Sequence, residues 1–276
     1  MGLGAPRVRA RTRFPGDRAS GALVNLKHAA FSVFSRLNGA FGAGTRGLRV
    51  LMYHSVGGTL SEDPYGTSIS KARFKDHLAR YDALRGEFPA AAFGVPKTTE
   101  PAVHFCFDDG YRDTLTAAAP LLAARSIPFT VFVAAEHVDK PGGLYLDRKE
   151  LKELASVPGA RIGAHGNRHV PLTGLSDEAL AEDLAASRSR LEDWLEEPVR
   201  AMSYPHGAVD RRVRDAAEKA GFSLAGCSLY GANLPGRDPL LLKRTEIVAY
   251  DDADDFELKL RGHWDWFALR QGDPAA

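Results

Sequence analysis

From about residue 48 onward the chain alternates between short apolar runs and longer amphipathic stretches. Leu48–Tyr53, Ala102–Phe107, Phe129–Val133 and Arg161–Ala164 are compact apolar segments bounded by turn residues, and each predicts a strand. Further strands are predicted near Ala201–Tyr204, Ser223–Cys227 and Thr245–Val248. Between them lie helical patterns. Lys71–Leu84 puts Phe74, Leu78 and Tyr81 on one face, and a helix is expected over Thr114–Arg125. Ser176–Glu196 is the clearest helix, with Leu180, Leu184, Leu191 and Leu195 at helical spacing and Trp194 read as core. Ser176 suits its N-cap, and Asp177 and Glu178 suit the positive end of its dipole. Val209–Ala220 predicts another helix, and the acidic run Asp251–Asp255 opens a last one over Phe256–Arg261. Repeated strand–helix alternation predicts a parallel sheet or a barrel, and periodicity does not choose between them.

The length of 276 residues suffices for one large α/β domain with a full core. A formal net charge of +1 gives no reason to expect nucleic acid as a partner. Cys106 and Cys227 both fall in apolar, strand-like runs, where thiols pack rather than bridge. The first 47 residues differ from the rest, with eight lysines and arginines against a single acid, Asp17. Leu23, Leu26, Ala30, Val33, Phe34 and Leu37 then trace one side of a helix. Asn25, Lys27 and His28 interrupt any signal-peptide core, and no 18-residue apolar run exists, so neither an export signal nor a membrane span is expected. Two readings stay open for residues 1–47: an arm with a helix capping the barrel base, or an amphipathic helix on an anionic membrane surface.

The chemistry concentrates in two places. Val103, Phe105 and Phe107 alternate with His104, Cys106 and Asp108, so Asp108 ends a strand and Asp109 follows just past it, before Gly110. His165-Gly166-Asn167-Arg168-His169 ends another strand, and its four-residue spacing places two imidazoles on one side of a helical turn, a frequent metal-ligand arrangement. Alone, Asp-Asp-Gly reads as a helix cap and the histidine pair is weak. Together, at the carboxyl edge of parallel strands, they form a set suited to metal-assisted hydrolysis. His28, His77, His104, His137 and His263 have no such spacing and are expected to be structural or exposed, with Trp264 and Trp266 packing the last helix.

With Cys106-Phe107-Asp108-Asp109-Gly110, His165 through His169 and Ser203-Tyr204-Pro205-His206-Gly207 in this order, the chain resembles the polysaccharide deacetylases, carbohydrate esterase family four, over about residues 48–250. The resemblance implies an incomplete, seven-stranded (β/α) barrel spanning residues 48–276 behind the basic extension 1–47. It implies Asp109, His165 and His169 as metal ligands, most simply for zinc, and Asp108 as the base. Tyr204, Pro205 and His206 would contribute to substrate and oxyanion binding, with the backbone N–H of His206 as donor. The family's late Leu-His-Asp is absent. Leu51-Met52-Tyr53-His54 instead resembles the early motif of a branch acting on secreted biofilm polymers, which makes His54 the expected general acid. Gly166 stands where the family has Ser or Thr, His206 where Tyr is usual, and the family's motif arginine is missing, leaving Arg244 to orient Asp108. The expected function is metal-dependent removal of N-acetyl groups from a sugar in a polysaccharide or its lipid-linked precursor. It would take place in the cytoplasm, peripheral to the inner membrane if residues 1–47 bind lipid. The competing expectations are a silent glycan-binding member and a hydrolase of small non-sugar amides or esters.

Overall fold

The computed structural model describes residues 21–37, 45–58, 60, 63–140 and 142–271. In chain order the elements are α1 (Gly21–Leu37), β1 (Leu48–Tyr53), β2 (Ser55–Val56), β3 (Ser68–Ile69), α2 (Lys71–Leu84), β4 (Ala102–Phe107), α3 (Ala119–Ala123) and β5 (Phe129–Val133). They continue with α4 (Arg148–Ala155), β6 (Ala160–Ala164), α5 (Asp177–Leu195), β7 (Ala201–Ser203), α6 (Arg211–Lys219), β8 (Leu224–Gly226), β9 (Thr245–Glu246) and α7 (Ala253–Leu260). The predicted strands and the amphipathic helices fall where the hydrophobic pattern places them, because each strand supplies apolar groups to two buried faces at once.

Seven strands pair in parallel in the order β8-β7-β6-β5-β4-β1-β9, curling into an incomplete (β/α) barrel. The edge strands β8 and β9 do not pair with each other in that sheet; residues 240–244 run between them, with Leu242 bridged to Gly226. Alternation along β4 divides its side chains between two cores. Val103, Phe105 and Phe107 join Tyr53, Phe74 and Tyr81 beneath the helices, while Cys106 packs inside the barrel with Val50, Met52 and Phe132. Burial of each such aromatic contributes roughly 1.5–3 kcal/mol. Neither cysteine forms a disulfide.

Local signals set the helix ends. Ser70 accepts from Arg73 N, Ser176 accepts from Ala179 N, and α5 stops at Glu196, whose backbone is left-handed with φ 59°. The helix expected over Thr114–Arg125 instead splits into a π-turn at Thr114–Ala118 and the short α3. Pro120 has no N–H to continue the regular ladder, and the Ala119 N–H reaches Thr114 O five residues back. Trp194 packs against the edge of the main core, half-buried, with the guanidinium groups of Arg148 and Arg190 at 5.0 and 5.1 Å from its ring.

The α1 helix forms as its periodicity predicts, but it docks with the opposite side from its apolar stripe. His28 Nε2 meets Asp251 Oδ1 at 2.8 Å, Ser32 bonds Asp255, and Trp266 Nε1 donates to Ser35 at 2.9 Å. The acids at the start of α7 are therefore more than a solvated cap. Asp251 is fully buried and also holds Lys259 Nζ at 2.6 Å. Burial would raise its carboxyl; Lys259 and His28 override that and hold its pKa down at about 2. Satisfying buried acids outweighs burying Val33 and Phe34, because an unpaired internal charge costs more than exposed methyl and ring surface. Among the described residues no helix is long and apolar enough to cross a membrane. The arginine-rich residues 1–20 lie outside the described residues.

Candidate active site

Parallel pairing of β1 and β4 matches Tyr53 with Phe107, so His54 and Asp108 emerge side by side at the carboxyl rim. The Asp108 N–H donates to Tyr53 O at 3.0 Å and fixes that register at its end. Asp109 and Gly110 then both turn left-handed, with φ 74° and 77°. A side chain at Gly110 would meet Val133 at 3.0 Å, and the left-handed φ there would strain any residue but glycine. The turn sends the two carboxylates apart. Asp109 Oδ1 faces His165 Nε2 at 3.3 Å and His169 Nε2 at 2.9 Å, whereas Asp108 points into the barrel. The histidines do not sit on a helical turn as their spacing suggested. Residues 165–169 form a loop in which Gly166 and His169 are left-handed, with φ 68° and 57°.

Asp183, on the buried face of α5, holds this loop. Its carboxylate accepts from the backbone N–H of Asn167 at 2.8 Å and Arg168 at 3.3 Å, and from Arg168 Nε at 2.9 Å. That contact explains the glycine at position 166, where an added Cβ would lie 3.2 Å from Asp183 Oδ1 and 3.0 Å from the Pro205 ring. The sequence reading missed Asp183, although its signal was present: an acid among Leu180, Leu184 and Leu191 on the apolar side of the helix. Two further groups were invisible locally. Ser203, at the end of β7, brings its Oγ to 2.5 Å and its carbonyl to 3.0 Å from His165 Nδ1. His137, expected to be structural or exposed, lies with its ring 5.1 Å from that of His169 and its Nδ1 3.4 Å from Asp109 O.

Inside the barrel, Arg244 crosses from the approach to β9 and binds Asp108 Oδ1 at 2.7 Å. Its Nε donates to Cys227 O at 3.1 Å and its guanidinium lies over Phe132 at 5.6 Å. Gly226 makes the passage possible, since a Cβ there would sit 2.6 Å from Arg244 Cδ. Burial alone would raise the Asp108 carboxyl; the Arg244 charge, with His165, overrides burial and keeps it below the ordinary range. Burial likewise opposes ionisation of Asp109, but the imidazoles of His165 and His169 facing it hold it well below that range. Both carboxylates are therefore anionic at neutral pH. Cys106, without a comparable stabilising set, is pushed up to about 12 by burial and stays a thiol. His54 is buried at the same rim, and its Nδ1 has no hydrogen-bond partner among the described residues.

The third motif divides. His206 adopts left-handed φ 58°, ψ 12°, and its ring lies 4.6 Å from that of His169, tilted by 45°. Pro205 is buried beneath the histidine loop. Tyr204 belongs to the core and not to a substrate surface, because it is fully buried and its hydroxyl donates to Leu240 O at 2.9 Å. Across the rim, Tyr111 stacks on half-buried Tyr145 at 5.1 Å, and Tyr145 lies 4.1 Å from His137.

The donor chemistry fits a divalent cation. One ligand atom each from Asp109, His165 and His169 lies within 4.8 Å of the others. The Nδ1–H of His165 donates to Ser203 O, which leaves Nε2 as the bare nitrogen facing Asp109. His169 Nε2 is buried and close to Asp109 yet without hydrogen-bond geometry, an orphaned polar atom that a cation would satisfy. A second cluster, His28 with Asp251 and Asp255, does not fit, because the Lys259 ammonium already supplies its positive charge.

Residues 96–225 match the family model described as polysaccharide deacetylase. YxkH of Bacillus subtilis, whose name assigns it to the polysaccharide deacetylases, is 26% identical over 206 residues, covering 72% of this chain and 71% of that one. The poly-beta-1,6-N-acetyl-D-glucosamine N-deacetylase of Staphylococcus aureus is 24% identical over 226 residues, covering 72% and 73%. The fold superposes on IcaB from Ammonifex degensii with a TM-score of 0.68 at 24% identity, over 79% of this chain and 97% of that one. Motif order and these relatives agree in making this chain similar to the polysaccharide deacetylases, and it shares their barrel fold.

Proposed function

We propose that the protein is a metal-dependent N-deacetylase acting on an N-acetylated sugar within a polysaccharide or its lipid-linked precursor. The supporting observation is the convergence, on one barrel rim, of two histidines and a carboxylate around a second carboxylate held by a buried arginine. Asp109, His165 and His169 would hold the cation, zinc being the simplest match to two imidazoles and one carboxylate. A cation there supplies Lewis-acid polarisation of the acetamide carbonyl and brings water into reach of a carboxylate base near neutral pH. Asp108, kept anionic by Arg244, takes a proton as water oxygen attacks the carbonyl carbon. The backbone N–H of His206 donates to the developing oxyanion. The C–N bond then breaks, His54 protonates the leaving amine, and acetate and the free amino sugar depart. The half-buried ring of Tyr145 offers an apolar face to a sugar. The S. aureus relative, named for poly-N-acetylglucosamine, supports a glycan of that class.

The test is acetate release from N-acetylglucosamine oligomers and from a generic acetyl ester, with chelated protein reloaded with zinc, beside Asp108→Asn. Release that needs metal and vanishes in Asp108→Asn is expected. Stoichiometric metal without release from any substrate would overturn the catalytic reading, and failure to bind metal would overturn the ligand set as well.

A further inference from the structure

The α1 helix presents the barrel with its polar side and solvent with its apolar side. His28, Ser32 and Ser35 are buried against Asp251, Asp255 and Trp266, while Ala29, Ala30, Val33 and Phe34 face outward. Val33 is 57% exposed, and Phe34, edge-on to Trp266, is still 45% exposed. A second element extends this surface. Trp266 and Leu269 are three apart in the 3₁₀ segment Asp265–Arg270, so they share one side, and Leu269 is 90% exposed. Arg36 and Arg270, both exposed, add positive charge beside this apolar strip. An outward helix face with this much apolar surface needs an occupant.

Charge identifies the occupant. The chain leading into α1 carries Arg7, Arg9, Arg11, Arg13 and Arg18 against Asp17 alone. Basic residues joined to an exposed apolar helix face match a bilayer with anionic headgroups: the side chains enter the acyl boundary and the arginines meet phosphate. A second copy of the chain would bring the same cations together and repel.

We infer that α1, with Leu269, is a docking surface for anionic membranes. The test is flotation of the full chain with vesicles of phosphatidylcholine alone or with about one-third phosphatidylglycerol. Binding to the anionic vesicles only is expected, falling about tenfold in the triple variant Val33→Asp, Phe34→Asp, Leu269→Asp. These positions are exposed, so circular dichroism and zinc uptake should match the parent and show that the fold is kept. Absence of parent binding would overturn the inference. So would unchanged binding in the variant, which would leave attraction by arginines alone. A parent dimer that the variant converts to monomer, with no lipid binding by either, would also overturn it and assign the face to a second copy.

Discussion

Arg244 is a charge placed where charge is expensive, fully buried in the barrel with its guanidinium against Asp108, Cys227 O and the Phe132 ring. Its value lies in the orientation and ionisation it imposes on Asp108, so removing it should harm turnover more than substrate or metal binding. Arg244→Met is expected to lower kcat by about a hundredfold with little change in KM or zinc stoichiometry, and Arg244→Lys to recover part of the loss. Steady-state kinetics beside metal titration check this; an equal loss of zinc would mean that the arginine only holds the fold. His104 carries a different residue-scale prediction. Burial, against a hydrogen bond to Ala91 O, lowers its pKa to about 4. The unfolded chain binds this proton near pH 6.5 and the folded chain does not, so stability is full above about pH 6.5 and falls as pH drops towards 4. This one group should cost about 2 kcal/mol between pH 7 and pH 5, and denaturant melts of the parent and His104→Gln should differ in slope by that amount. Two residue-scale readings were legible without structure. The doublet Asp108-Asp109 marked two carboxylates at one strand end, and Arg244 was the cation available to replace the missing motif arginine. Tyr204 was not legible, because nothing local says that a tyrosine in a motif will spend its hydroxyl on Leu240 O.

At the scale of elements, helical and strand periods were readable because each element must bury one side. Irregular segments were not. The loop 165–169 takes its shape from α5, whose Asp183 captures two of its backbone N–H groups. Asp183→Asn keeps the volume but turns one acceptor oxygen into a donor facing donors. Zinc affinity is expected to fall by about 10–100-fold while the helix content of α5 stays intact, measured by competition with a chromophoric chelator and by circular dichroism. Unchanged affinity would assign the loop's shape to Gly166 and Pro205 instead. For α1 the stripe of apolar residues was visible in the sequence, but which side would pack was not. That was decided by Asp251 and Asp255, more than two hundred residues away, which needed donors from His28 and Ser32.

At the scale of the molecule, the barrel brings residues from β1, β4, β6, β7 and the approach to β9 to one rim. The proposed ligands come from separate strand ends, so a cation joining them would bind the folded chain and not the unfolded one. Zinc at about a hundred times its Kd should raise the melting midpoint by roughly 5–10 °C, and a chelator should reverse it. The increment should disappear in Asp109→Ala; its persistence there would move the cation elsewhere.

The order of strands and helices, the buried thiols, the two strand-end motifs and the family likeness were all determined by the sequence alone. Each is written in hydrophobic period or in residues adjacent along the chain. Tertiary structure alone decided the rest: the aim of Asp109 at both histidines, the insertion of Arg244 past Gly226, the grip of Asp183 on the histidine loop, and the outward turn of α1. Those depend on pairings between distant segments, where burying a charge requires a partner and the partner's place is set by the closure of the barrel.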